Sequence, residues 1–194
     1  MANVIVTGGA KGIGKACAEY FLNQGDSVIV LDLDKEALDN LNQGKGKLVS
    51  IICDFSKDKE VKEAIEKGIS EIGEIDVLVN NAGIQRYSTV TETTEEEWDL
   101  VMNVNLKSAF LCSKYALPSM QKKGKGAVIN ASSVQAFISQ ERVAPYTTSK
   151  TALLGLTRSI AVDYAPNIRC VAVCPGTVDT PMLRDAISNH CVPN

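Results

Sequence analysis

The chain has 194 residues, 45% of them hydrophobic and 22% charged, with 20 Lys and Arg against 23 Asp and Glu for a net charge of −3. At roughly 150 residues per domain this favours one domain, 1–194, able to bury its own core without metals or disulfides. The slight acidity argues against a nucleic-acid partner, since the one dense basic run, Gln121-Lys122-Lys123-Gly124-Lys125, reads as a solvated helix end.

No apolar run approaches the ~20 residues of a membrane span, so no membrane partner is expected. Met1-Ala2-Asn3 leads straight into Val4-Ile5-Val6 without a charged leader, and a cytoplasmic location follows as the expectation. The six cysteines form no C-x-x-C pair and read as free thiols. The single histidine, His190, excludes a His-based triad or a multi-His metal site, and no metal is expected.

Short apolar runs at 3–7, 27–31, 48–53, 77–79, 127–131 and 169–173 read as strands, and the stretches 12–23, 35–43, 58–72, 94–122 and 146–164 as helices. Alternation of the two predicts β-α-β units and a parallel sheet buried on both faces, an α/β fold.

The first strand ends in Thr7-Gly8-Gly9-Ala10-Lys11-Gly12-Ile13-Gly14, directly before a helix. Gly8, Gly12 and Gly14 allow a tight turn and close approach to a pyrophosphate, whose charge a helix N-terminus favours. Alone, such a run is equally a simple turn. Asp32 closes the second strand near the spacing of about 20 residues at which an acid meets an adenosine ribose. A carboxylate there repels a 2′-phosphate, by about 4 kcal/mol for unit charges at 4 Å and an effective dielectric of 20, which favours NAD over NADP. Lys11 argues weakly for NADP, or is a solvated loop lysine, and Asp34 reads as a cap for the following helix.

Further along stand Asn80-Asn81-Ala82-Gly83, Asn105, Ser132-Ser133, Tyr146-Thr147-Thr148-Ser149-Lys150 and Pro175-Gly176-Thr177-Val178-Asp179-Thr180. With the glycine loop, this ordered set resembles the short-chain dehydrogenase/reductase family, over about residues 2–187. The resemblance implies a Rossmann-type doubly wound sheet of order 3-2-1-4-5-6 and hydride transfer between a nicotinamide and an alcohol or carbonyl. Tyr146 and Lys150 lie one helical turn apart and share a face. Lowering a phenol by 3 pKa units takes about 4 kcal/mol of preferential phenolate stabilisation, which the Lys150 ammonium and a cationic nicotinamide supply together.

By the same resemblance, Ser133, the second of its pair, steadies the substrate oxygen, and Asn105 holds a water that links Lys150 to solvent. Asp54 contacts the adenine with Phe55 beside it. Ile13, Asn81, Ala82, Gly83, Pro175, Gly176, Val178 and Thr180 line the cofactor, together with Gly8, Lys11, Gly12, Gly14, Asp32, Tyr146 and Lys150. The bland readings are a loop cap for the serines, an ordinary helix residue for Asn105 and a turn for the Pro-Gly pair.

Gln85, Arg86, Gln135 and the segment 137–142 are the substrate-pocket candidates, and their mostly polar character disfavours a steroid or retinoid. The stretches 133–137 and 175–182 are similar to aldose and polyol dehydrogenases of the family, so a sugar substrate is expected. The alternatives are a 3-oxoacyl reductase, which usually takes NADP, and a regulatory protein that binds nicotinamide without turnover or an inactive short variant. Helices 94–122 and 146–164 resemble the pair through which members form homodimers or homotetramers. Members normally continue through a substrate-covering lid, another helix and a seventh strand. None of these is expected after Ile187, and Cys191-Val192-Pro193-Asn194 looks foreign to the pattern.

Overall fold

In a computed structural model of the chain, residues 1–189 are described; His190 and the 191–194 ending lie outside them. The Val- and Ile-rich runs form β1 (Asn3–Thr7), β2 (Ser27–Asp32), β3 (Lys47–Ile52), β4 (Val77–Asn80), β5 (Gly126–Ala131) and β6 (Ile168–Val173). They make one parallel sheet in the order β3-β2-β1-β4-β5-β6, the expected doubly wound arrangement. The connecting helices are α1 (Gly12–Asn23), α2 (Lys35–Asp39), α3 (Asp58–Ile72), α4 (Glu95–Met102), α5 (Ser108–Lys123), α6 (Ala144–Tyr164) and α7 (Pro181–Asn189).

The central strands carry no polar alternation because both faces are covered. On one face Ile5, Ile29, Leu31, Leu78 and Val128 pack with Ile65 of α3, Leu111 and Met120 of α5 and Ile160 of α6. On the other, Val4, Val6, Val28 and Val30 meet Ala18 and Leu22 of α1 and Leu38 of α2. Among the described residues no helix is long and apolar enough to cross a membrane, and Cys17, Cys53, Cys112, Cys170 and Cys174 are free thiols.

Several boundaries differ from the sequence expectation for local reasons. The second helix stops at Asp39 instead of 43, where the Asn40 amide donates to the Glu36 carbonyl at 2.9 Å and Asn42 accepts from Gly44 N at 3.0 Å. Such side chains compete with the helical ladder. The single helix expected at 94–122 is divided by a π-helical turn, Asn103–Lys107, in which the Ser108 hydroxyl donates to the Val104 carbonyl at 2.5 Å.

The basic run closes α5 as a mostly exposed helix end, as expected, with Lys122 and Lys123 paired to Glu74 and Asp76 at 2.8 and 2.7 Å. Helix α7 was not among the expected helices. Its signal was present as Thr180-Pro181, a cap followed by proline at the first helical position, and the Thr180 hydroxyl accepts from Leu183 N at 3.3 Å.

Candidate active site

Open parallel sheets bind ligands beyond the carboxyl ends of their strands, where the strand order reverses. In this sheet that point lies between β1 and β4. Thr7 Oγ1 accepts from both Asn81 N and Ala82 N at 3.0 Å, and Asn81 Nδ2 donates to the Thr7 and Gly8 carbonyls at 3.2 and 2.9 Å. The loops after the two strands are thereby stitched together.

Gly8 and Gly12 both have positive φ, 60° and 53°. Gly14 is glycine for another reason: a Cβ there would stand 2.1 Å from the Gly8 carbonyl oxygen and 2.5 Å from Asn81 Nδ2. Its missing side chain lets α1 seat against the loop after β1, and Gly14 itself is outside the cleft lining.

A cleft of about 570 Å³ opens here. Of the expected cofactor residues it gathers Gly8, Lys11, Gly12, Ile13, Asp32, Asp54, Phe55, Asn81, Ala82, Gly83 and Thr180. Arg86, from the substrate candidates, also lines it. Leu33, Ser56, Ile84, Leu100, Val104, Pro181 and Met182 complete the wall and were not anticipated. Leu33 and Ser56 could have been found from position alone, because each follows a strand end.

Asp32 accepts from Ala10 N at 2.9 Å through Oδ2 and from Asp34 N at 3.0 Å through Oδ1. Asp34 caps α2 as expected, accepting from Ala37 N at 2.9 Å. Lys11 is not a free solvated lysine: its Nζ donates to Asp34 Oδ2. The contact holds the ammonium above its ordinary pKa and the carboxyl below its own. Asp54 accepts from Ser56 N at 3.0 Å and from its hydroxyl at 2.7 Å, bonds that keep its carboxyl low, with Lys57 at 3.2 Å.

The second group of residues comes from β5, α6 and the π-turn. The Ser132 hydroxyl is turned inward and donates to the Lys150 carbonyl at 2.8 Å. Ser133 Oγ accepts from Gln135 N at 3.1 Å. Burial pushes the Tyr146 phenol up, and the nearby Ser133 hydroxyl opposes the push. Lys150 is buried, with Nζ donating to the Ala131 carbonyl at 2.8 Å and lying 5.6 Å from the Tyr146 ring centroid. Burial drives its ammonium down to about 8, against a smaller opposing influence from nearby Cys174.

Asn105 does not behave as an ordinary helix residue. Its Oδ1 accepts from Ile84 N at 2.8 Å, while Nδ2 donates to the Ile84 carbonyl at 2.9 Å and to the Ser149 hydroxyl at 3.0 Å. Gly83 joins the two groups: a Cβ on it would lie 3.3 Å from Lys150 Nζ and 3.5 Å from Asn105 Oδ1. Lys150 therefore stands immediately behind the cleft wall.

Gly14, Asn105, Ser133, Tyr146, Lys150, Gln85, Gln135, Pro175, Gly176 and Val178 are outside the cleft lining. The Pro175 carbonyl accepts from Val134 N at 3.0 Å, which fastens the last loop to the Ser133 turn. Gln85 Nε2 and Gln135 Oε1 are buried without a partner, whereas Gln135 Nε2 donates to Gln140 at 3.1 Å. In the segment after Ser133, Phe137 and Ile138 are 72% and 77% exposed.

Comparison with known proteins agrees with this geometry. The sequence pattern of the short chain dehydrogenase family matches residues 2–190. An uncharacterized oxidoreductase of Thermotoga maritima is 43% identical over 182 residues, 91% of this chain and 72% of that protein. A 3-oxoacyl-[acyl-carrier-protein] reductase of the same organism is 39% identical, over 92% of this chain and 74% of its own. The ligand-free structure of Thermoplasma acidophilum aldohexose dehydrogenase superposes with a TM-score of 0.89 at 42% identity, covering 97% of this chain and 71% of that one. The chain belongs to the short-chain dehydrogenase family, whose members are nicotinamide-dependent oxidoreductases acting on CH–OH groups.

Proposed function

We propose that the chain is a single-domain, NAD-dependent dehydrogenase of aldoses or polyols, with Tyr146 as its general acid and base. The observation that carries this reading is the buried Lys150 ammonium, 5.6 Å from the Tyr146 ring centroid and directly behind Gly83 of the cleft. The cleft suits a dinucleotide: its glycine loop is free of side chains at Gly8 and Gly12, and Asp32 is fixed at the end of β2 by two backbone N–H groups. Gly8, Lys11, Gly12, Ile13, Asp32, Asp54, Phe55, Asn81, Ala82, Gly83 and Thr180 would hold the cofactor, with Pro175, Gly176 and Val178 approaching it from the loop after β6.

A bound nicotinamide supplies the hydride acceptor. Tyr146 takes the proton of the substrate hydroxyl, and Ser133 donates to the same oxygen as charge develops there. The Lys150 cation stabilises the phenolate, and the proton leaves through water held at Asn105. Gln85 and Gln135 meet the remaining hydroxyls. Their buried, unpartnered amide atoms support a polyhydroxylated substrate, since buried polar groups are ordinarily hydrogen-bonded.

Asp32 supports NAD over NADP on charge. Exposed Trp98 and Phe110 on the α4–α5 segment support a homodimer or homotetramer, which light scattering tests. The free thiols support a reducing, cytoplasmic location.

A panel of aldoses and polyols with NAD, followed at 340 nm, tests the reading, and absence of NADH formation with every sugar overturns it. A second reading, a 3-oxoacyl reductase, is favoured by exposed Phe137 and Ile138 beside Ser133, which would seat an acyl chain. Oxidation of NADPH by a 3-oxoacyl thioester distinguishes it. Tight NADH binding with no turnover of either class marks a regulatory protein.

A further inference from the structure

Asp32 does more than present an acid to the ribose position. One of its oxygens accepts from Ala10 N, the residue before Lys11, and the other accepts from Asp34 N. The same carboxylate thus fixes the two backbones that bring Lys11 and Asp34 face to face, where the lysine ammonium donates to the Asp34 carboxylate. Lys11 and Asp32 both line the cleft. Lys11 is the cation that sequence alone places within reach of a 2′-phosphate, and in the structure Asp34 already occupies it.

We propose that Asp34 is a specificity-determining residue, which excludes NADP by holding Lys11 in an ion pair at the edge of the ribose site. This rests on the reading of the cleft as an NAD site. With Lys11 neutralised, the two acids Asp32 and Asp34 leave the group of three with one net negative charge, and a 2′-phosphate meets repulsion without a compensating cation. The pair is half-exposed, with side chains 56% and 38% accessible, so it exchanges its partner readily once the competing carboxylate is removed. The short helix α2 does not depend on the charge of Asp34. Its cap requires only an oxygen that accepts from Ala37 N, and Asn serves about as well as Asp.

The test is titration of the protein with NADH and NADPH, followed by nucleotide fluorescence, for wild type, Asp34→Asn, Lys11→Met and the double variant. Wild type is expected to favour NADH. Asp34→Asn should move the NADPH-to-NADH affinity ratio toward NADPH by roughly fivefold at low salt, an effect that shrinks at high ionic strength. In the double variant the gain should disappear, because it comes from the released lysine.

An unchanged ratio in Asp34→Asn overturns the proposal, as does a gain that survives in the double variant, which would assign it to loss of an acid alone. Asp34→Ser, which also retains the cap, repeats the measurement should the Asn variant fold poorly. Failure of wild type to bind NADH overturns the NAD reading beneath the proposal. Normal NADH binding with an unmoved ratio overturns the Asp34 assignment alone.

Discussion

The Asn105 amide donates to the Ser149 hydroxyl at 3.0 Å, and Ser149 donates in turn to the Tyr146 carbonyl at 2.7 Å. Because Asn105 also grips both backbone groups of Ile84, one side chain ties the loop after β4 to the helix that carries Tyr146 and Lys150. The π-turn that holds Asn105 is thus a brace between the cleft and the reacting groups. Ser149→Ala should lower kcat about tenfold, with a stability loss of about 1–3 kcal/mol for a buried hydrogen bond left unmade. Asn105→Ala, which strands two groups of Ile84 as well, should cost more in both measurements. Equal kcat in the wild type and both variants would remove the brace from the account.

Tyr146→Phe removes the proton-transfer group while preserving ring packing. Its kcat should fall by about 10²–10⁴, the range of general acid–base contributions, while NADH still binds. Steady-state kinetics and a fluorescence titration on the same sample separate the two quantities. Retention of full kcat would move the acid–base role elsewhere.

Gly14→Ala places a methyl group where the Gly8 carbonyl and Asn81 amide already stand. The contact lies on backbone, so α1 or the loop must shift, at a cost of about 1–3 kcal/mol. Thermal unfolding should show a lower Tm, and NADH affinity should fall with it, since the loop that moves is the floor of the cleft.

Lys150 gives a pH signature in stability. Burial lowers its pKa from 10.5 to about 8, so between those values the folded chain has released a proton that the unfolded chain retains. The contribution of this group to stability is therefore unfavourable below pH 8 and is relieved as pH rises toward 10.5. Comparison of Lys150→Met with wild type isolates it, because the other titrating groups are shared. The Tm difference should favour methionine most below pH 8 and then shift toward lysine. A difference constant across that range would contradict the burial of the cation.

The strands were legible because a parallel sheet covered on both sides demands unbroken apolar runs, and Val28, Ile29, Val30 and Leu31 meet that demand. The ends of strands were equally legible, since Asp32, Asp54, Asn81 and Ser133 are polar where the apolar runs stop. The π-turn was not, because the partner of its Asn105 is the distant backbone of Ile84, which the local sequence does not announce. Nor was the Lys11–Asp34 pair, which needs the folds of two separate loops to bring its members together.

The reversal of strand order between β1 and β4 divides labour along the chain. On the proposed reading, residues up to β3 and its loop would furnish the nucleotide side of the cleft, while β5, α6 and the π-turn would furnish the reacting side. Beyond the backbone ladder, the Thr7 and Asn81 side chains make four hydrogen bonds across this seam. Nucleotide preference and chemical step can consequently drift separately during evolution, each half acquiring substitutions that the other does not register. Thr7 and Asn81 are the exception, positions where a change in one inheritance must be answered in the other.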